Sequence, residues 1–177
     1  MNFEINGNLT DIPNYNNFKT NILTVYSIFY EHFGKEIMGK IELYIDNATE
    51  NSGYTPIITP ILKKHLIIKL GISNFSNSEQ IVYQFSHELC HYVFYSILGL
   101  KKEFADKEEE NICSAMSLVI MKRIFPNKLN FWKSHISGLT NENYSGGLSI
   151  AESVNYDIEK LKTKIIKLCE NKKGVKV

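Results

Sequence analysis

The sequence has few cysteines, little net charge and no long apolar run, and each shortage excludes a class of protein. Its three cysteines, Cys90, Cys113 and Cys169, are odd in number and widely spaced, which argues against a disulfide framework and for a reducing compartment. The formal charge of +1 gives no basic face for nucleic acid or an anionic membrane. No stretch has the apolar length that crosses a bilayer, and the first residues lack the pattern of a secretion signal. We therefore expect a cytoplasmic protein that binds neither nucleic acid nor membrane.

The length and composition are those of one ordinary globular domain. The chain has 177 residues, of which 44% are hydrophobic and 22% charged, and these fractions lie near the averages for soluble proteins. A chain of this length can bury a full core but is short for two domains. We expect a single domain over residues 1–177, and no pattern indicates its oligomeric state.

Apolar periodicity predicts a first helix followed by a small sheet. Apolar residues recur every three or four positions between Asn14, a candidate cap, and Gly34, a candidate stop. Alternation over 41–45 and the apolar run 66–70 predict two strands. The proline-flanked residues 57–59 are expected to form an edge segment or an extended loop.

Helical spacing dominates the rest of the chain. A second helix is predicted from a cap at Asn77 to a stop near Gly99, and a third over about 103–124. Residues 127–147 hold the only tryptophan, Gly146 and Gly147 mark a loop, and one amphipathic helix follows over 150–168. The sequence therefore predicts an α+β fold with a small antiparallel or mixed sheet packed on a helical core.

The second predicted helix contains the stretch His-Glu-Leu-Cys-His, from His87 to His91. Two imidazoles four residues apart on one helical face can share a zinc ion, and Glu88 is suited to take a proton from an activated water. A shuffled sequence of this composition contains the pattern about once in a hundred trials, so chance is disfavoured. The stretch predicts a zinc site with Glu88 as the catalytic base.

A catalytic zinc ion usually has three protein ligands, so one remains to be found beyond His87 and His91. The start of the third helix offers Glu108, Glu109 and Glu110. Glu110 follows His91 by 110 − 91 = 19 residues, which allows a turn and an antiparallel return. Thiolate ligands at Cys90 or Cys113 are a weaker alternative, since small residues also suit a close contact between helices.

Residues 79–121 resemble the gluzincin group of zinc metallopeptidases, in which a second helix supplies a glutamate to the HExxH pair. In that group the ligand glutamate commonly precedes a small residue by three positions, as Glu110 precedes Cys113, so Glu110 is the first candidate. The run 108–121 is also loosely similar to the ligand helix of ImmA/IrrE-type peptidases, an alignment that would make Glu109 the ligand. The resemblance implies a zincin-like fold and zinc-dependent hydrolysis of peptide bonds in a peptide or protein substrate.

The resemblance also raises the question of supporting residues. Some gluzincins carry an aspartate four positions after the ligand glutamate, and this chain has Ser114 there, so a backbone carbonyl or another carboxylate must orient the imidazoles. In similar enzymes an edge strand before the motif helix pairs with extended substrate, a role that falls to strand 66–70. An extra donor for the tetrahedral oxyanion is expected, and the candidates are His135, Tyr144, Tyr156 and Tyr95.

An alternative function keeps the fold and the metal but cleaves nothing. In this interpretation the chain is a metal-stabilised interaction or regulatory domain, an idea motivated by Ser114 and by the unassigned oxyanion donor. A zinc site closed by four protein ligands would favour this alternative, whereas an open fourth position would favour the peptidase.

Overall fold

A small sheet and a set of helices make up the computed structural model, which describes residues 3–48, 55–102, 104–138 and 146–174. The strands within these ranges are β1 (Phe3–Ile5), β2 (Glu42–Asn47), β3 (Ile57–Ile61) and β4 (His65–Leu70). The helices are α1 (Tyr15–Met38), α2 (Ser78–Leu98), α3 (Lys107–Ile124), α4 (Leu129–Ser137), α5 (Gly147–Ser153) and α6 (Ile158–Gly174). The predicted α+β class is confirmed. None of these helices combines the length and apolar character needed to cross a membrane.

The sheet is mixed and has the strand order β1-β2-β4-β3. Strands β1, β2 and β4 run parallel, and β3 pairs antiparallel with β4. The proline-flanked segment is therefore an edge strand, and its Pro60 stands where a missing N–H is tolerated. The role expected for strand 66–70 is wrong, because β4 lies between β2 and β3 and both of its edges are already paired.

Helix α2 is the central element of the fold. The Asn77 side chain caps it by accepting a hydrogen bond from the Gln80 backbone N–H at 3.1 Å, and it ends at Gly99, where φ is +96°. Its buried residues pack against α1, α3 and the sheet. The predicted start and stop of the motif helix are confirmed, and the motif lies in the middle of it.

The other helix predictions are confirmed only in part. The stop predicted at Gly34 is a kink with non-helical φ +73° and ψ 171°, beyond which α1 continues as a second helical segment to Met38. The single helix expected over 150–168 is two helices, because Asn155 and Tyr156 have φ near +55° and break it. Helix α4 was not predicted, because it has only 9 residues and buries just Trp132 and Ile136, which is too short a signal for periodicity.

Candidate metal centre

Three predicted ligand residues meet where α2 passes α3. The Nε2 atoms of His87 and His91 lie 3.2 Å apart. The Oε2 atom of Glu110 lies 3.1 Å from His87 Nε2 and 3.4 Å from His91 Nε2. Successive turns of α2 and the first turn of α3 thus bring three potential ligand atoms together. These atoms form a group that could hold a metal ion.

The size of this triangle fits zinc. Ligand atoms about 2.0–2.1 Å from a tetrahedral zinc ion are about 3.3–3.4 Å from each other. The three distances, 3.1, 3.2 and 3.4 Å, are close to that value. Two imidazole nitrogens and one carboxylate oxygen form a donor set that suits zinc better than calcium or magnesium, which prefer oxygen ligands.

The neighbouring glutamates of α3 contact different atoms of His91. Whereas Glu110 approaches Nε2, the Oε1 atom of Glu109 lies 2.8 Å from Nδ1. A carboxylate can only accept a hydrogen bond, so this contact places the proton on Nδ1 and leaves the Nε2 lone pair for a metal. Glu109 is therefore placed to orient the imidazole of His91, and Glu110 is the carboxylate that faces the Nε2 atoms of both histidines.

Glu109 is buried in a cluster of charges behind His91. Its carboxylate is 1% exposed and contacts Lys102 Nζ at 2.9 Å and Lys172 Nζ, from α6, at 3.4 Å. Lys172 also pairs with Asp106 at 2.9 Å. Burial alone would raise the pKa of Glu109, but the contacts with His91 and Lys102 lower it. The cluster therefore keeps Glu109 ionised, as its role toward His91 requires.

The two carboxylates make the surroundings of His91 favour positive charge. Burial lowers the pKa of His91, but hydrogen bonds to Glu109 and Glu110 outweigh it and raise the value to about 10. Burial acts to raise the pKa of Glu110, and its contacts with His87 and His91 bring it well below its usual range. A divalent cation would be stabilised by the same arrangement.

Glu88 lies beside the cluster and is almost fully buried. Burial raises the pKa of its carboxyl group, while the neighbouring histidines and a hydrogen bond from the Ile58 backbone N–H on β3 act in the opposite direction. The edge strand thus lies directly against the predicted catalytic base. A carboxyl group with a raised pKa can exchange protons closer to neutral pH.

The thiol groups do not share the point at which the three ligand atoms meet. The Sγ atom of Cys113 lies 3.4 Å from His91 Nδ1, on the Glu109 side of the ring. Cys90, Cys113 and Cys169 are free and buried, and burial raises the pKa of Cys113 strongly and that of Cys169 to about 12. This placement gives no support to the thiolate-ligand alternative.

Ser114 occupies a packing position. A Cβ atom on Gly147 would lie 2.5 Å from the Ser114 Cβ, so helix α5 approaches α3 as closely as only glycine permits. The Ser114 hydroxyl is buried without a hydrogen-bond partner in the structure. The residue that replaces the expected aspartate therefore allows two helices to pack, and Glu109 supplies the carboxylate from a different position.

A cavity of about 680 Å³ opens beside His87 and Glu88. Polar side chains from the first turns of α2 line part of it, and Thr55 and Pro56, just before β3, line another part. Aromatic side chains from α2 and α4 line the remainder. The lining residues are Thr55, Pro56, Asn77, Glu79, Gln80, Tyr83, Gln84, His87, Glu88, Phe131, Trp132 and His135.

The candidates for the oxyanion donor differ in whether they line this cavity. His135 on α4 lines it together with His87 and Glu88. Tyr95 is buried under the Lys102 ammonium, 4.3 Å from its ring centroid, on the closed side of His91. Tyr156 lies between Lys122 and Lys133 and does not line the cavity. Tyr144 lies outside the described residues. His135 is thus the described candidate that shares the cavity with Glu88.

Two features of the site were not predicted from the sequence, namely the orienting role of Glu109 and the aromatic lining from α4. Tyr83 carried a usable signal, because it precedes His87 by four residues and so shares its helix face. Trp132 carried none, since its helix was not predicted.

Comparisons with models of protein families, with curated proteins and with solved structures give no match. The functional interpretation therefore rests on the geometry of the site.

Proposed function

We propose that this chain is a zinc-dependent metallopeptidase, a hydrolase of peptide bonds in peptides or proteins. The observation that carries the proposal is the convergence of His87, His91 and Glu110 within 3.1–3.4 Å, beside a cavity that also contains Glu88. Among the described residues the group offers three donors, which leaves a fourth position on a tetrahedral ion for water or substrate. An open position favours the peptidase over the closed site of a purely structural domain.

The proposed chemistry divides between the metal and the side chains. Zinc held by His87, His91 and Glu110 would polarise the peptide carbonyl and lower the pKa of a water molecule. Glu88 acts as the general base that accepts the proton of the attacking water and passes it to the leaving amine. Burial of Glu88 suits the first transfer, because a carboxylate with a raised pKa is a stronger base toward the proton of the water.

His135 is the proposed donor to the tetrahedral oxyanion. It lies in the same cavity as Glu88 and His87, on a separate helix, so it can approach a bound carbonyl from the opposite wall. Its exposed position on α4 also lets it retain contact with solvent. The proposed enzyme works in a reducing compartment, with the cytoplasm expected, since its three cysteines are free and buried.

The test is hydrolysis by the zinc-loaded wild-type chain beside its Glu88→Gln variant. A mixture of peptides from a digested, unfolded protein serves as substrate, and new termini are identified by mass spectrometry. We expect cleavage by the wild type, and a rate at least about 10²-fold lower in Glu88→Gln at equal zinc content. Glu108→Gln, at an exposed position on α3 two residues before Glu110, is the matched control and should cleave like the wild type. Equal cleavage by wild type and Glu88→Gln would refute the mechanism.

A further inference from the structure

Three aromatic side chains form a continuous surface inside the cavity, which we call the aromatic wall: Tyr83, Phe131 and Trp132. Tyr83 and Trp132 are stacked, with ring centroids 4.2 Å apart and an angle of 18° between the rings. Phe131 packs edge-on against Trp132 at 5.5 Å. Helices α2 and α4 thus each supply part of one apolar surface.

The aromatic wall lies one helical turn from the candidate metal centre. Tyr83 precedes His87 by four residues on α2, and side chains at this spacing are about 5–6 Å apart at Cβ. Successive Cα atoms of a peptide are about 3.8 Å apart. If the scissile carbonyl lies at the metal, a side chain next to the scissile bond therefore reaches the aromatic wall.

The aromatic wall offers apolar surface and contains no charged side chain. Phe131 is 63% exposed, so a ligand that covers it removes apolar area from water. Among the described residues that line the cavity, the carboxylates are those of Glu79 and Glu88, and no lysine or arginine is present. Glu79 already pairs with Lys128 at 3.1 Å. An acidic side chain would therefore lose water here without meeting a lysine or arginine, and a basic one would find Glu79 already paired and Glu88 assigned to the proposed proton transfer.

We infer that the aromatic wall is the side-chain specificity site of the proposed peptidase and that it takes a large apolar or aromatic residue next to the scissile bond. The inference rests on the proposed function. It assigns substrate selection to Phe131 and Trp132, which lie on a different helix from the candidate ligands and the catalytic base.

Trp132 is the only tryptophan of the chain, so its fluorescence reports on the aromatic wall directly. In zinc-loaded Glu88→Gln protein, N-acetylphenylalanine and N-acetylleucine hydroxamates should change Trp132 emission and bind about 10- to 100-fold more tightly than the aspartate and lysine analogues. The cleavage sites of the wild type in the peptide mixture should show the same preference.

Variants of the exposed Phe131 test the assignment with little risk to the fold. Phe131→Asp should reduce the preference for phenylalanine over lysine by about tenfold, because the new carboxylate attracts the ammonium group, and Phe131→Ala should reduce it by less. Phe104→Ala is the matched control, since Phe104 is fully exposed and does not line the cavity; its preference should equal that of the wild type. Titration by calorimetry measures this preference in the parent protein, Phe131→Asp, Phe131→Ala and Phe104→Ala.

The outcomes separate the two proposals. Preferential binding of the apolar hydroxamates without any cleavage would refute the peptidase and support the apolar site. Cleavage without an apolar preference, or a preference that Phe131→Asp leaves unchanged, would overturn the site while the peptidase stands. If the chain takes up no zinc, N-acetylphenylalanine amide and N-acetylaspartate amide are compared by Trp132 emission, and equal responses overturn the site.

Discussion

The side of the candidate metal centre at His91 is closed and charged, whereas the side at His87 is open and aromatic. His91 is held by Glu109, which two lysines contact in turn, and its side chain is 6% exposed. His87 instead lines a cavity of about 680 Å³ with the aromatic wall one turn away. The difference supports the proposal that the surroundings of His91 hold a metal ligand in place, whereas the cavity at His87 receives the substrate.

The open side is tested most strongly at His135. His135→Ala should lower the rate of peptide cleavage about 10²-fold, with little change in KM, because the proposed hydrogen bond forms only in the transition state. Zinc content should stay at the wild-type value. Ser134→Ala, at the exposed neighbouring position, is the control. A rate within threefold of the wild type would contradict the proposed role of His135 as the oxyanion donor on the open side.

The closed side is tested at Glu109. Glu109→Gln keeps the shape of the side chain but removes the charge that faces His91, Lys102 and Lys172, and we expect zinc affinity to fall about 10- to 100-fold. Competition with a chelating dye measures the affinity. The neighbouring Glu108→Gln removes an equal charge from an exposed position and should bind zinc like the wild type. Equal affinities in the two variants would show that the charged cluster does not support the metal site.

The smallest expected effect concerns the outer edge of that cluster. Asp106 caps α3 by accepting a hydrogen bond from the Glu109 N–H at 2.9 Å and pairs with Lys172. Burial acts to raise the pKa of Asp106, but these contacts lower it overall. A carboxyl group with a lowered pKa stabilises the fold above its unfolded pKa of about 3.9 and loses that contribution as the pH falls through the folded value.

Asp106→Asn keeps the cap but not the charge, so its deficit in free energy of unfolding should be present at pH 6 and shrink toward pH 3. Asp106→Ala loses the cap as well as the charge, so a deficit of about 1 kcal/mol should remain at pH 3 and exceed that of Asp106→Asn at both pH values. Urea unfolding of the three proteins at both pH values provides the measurement. A deficit of Asp106→Asn that is independent of pH would contradict the assigned role of the charge.

The sequence predicted the elements that positioned the motif but not those that surround it. Capping at Asn77, the stop at Gly99 and the strands on either side of the sheet centre were readable, because each depends on local spacing and backbone preference. The break between α5 and α6 could not be predicted in this way. Residues 154–157 fit the apolar period of a continuous helix, but Asn155 and Tyr156 adopt a left-handed backbone conformation that interrupts it. Local patterns do not show which residues adopt that conformation.

The residues of the candidate site likewise include some that the sequence predicted and some that it did not. His87, His91 and Glu110 were named from spacing, and the structure brings their ligand atoms together. The roles of Glu109 and Lys172 depend on a contact between residues 63 positions apart, and the aromatic wall depends on an unpredicted helix. Neither leaves a periodic signal in the sequence. Predictable residues thus define the proposed chemistry, and long-range packing defines its surroundings.

The most direct test of the central claim is the zinc content of purified wild type beside His87→Ala, Glu110→Ala and the exposed control Glu108→Ala, each dialysed against the same limiting zinc and measured by elemental analysis. We predict about one zinc ion per chain in the wild type and in Glu108→Ala, and strongly reduced occupancy in His87→Ala and Glu110→Ala. Circular dichroism checks that each variant is folded. Full zinc occupancy in both His87→Ala and Glu110→Ala would contradict the assignment of the metal centre.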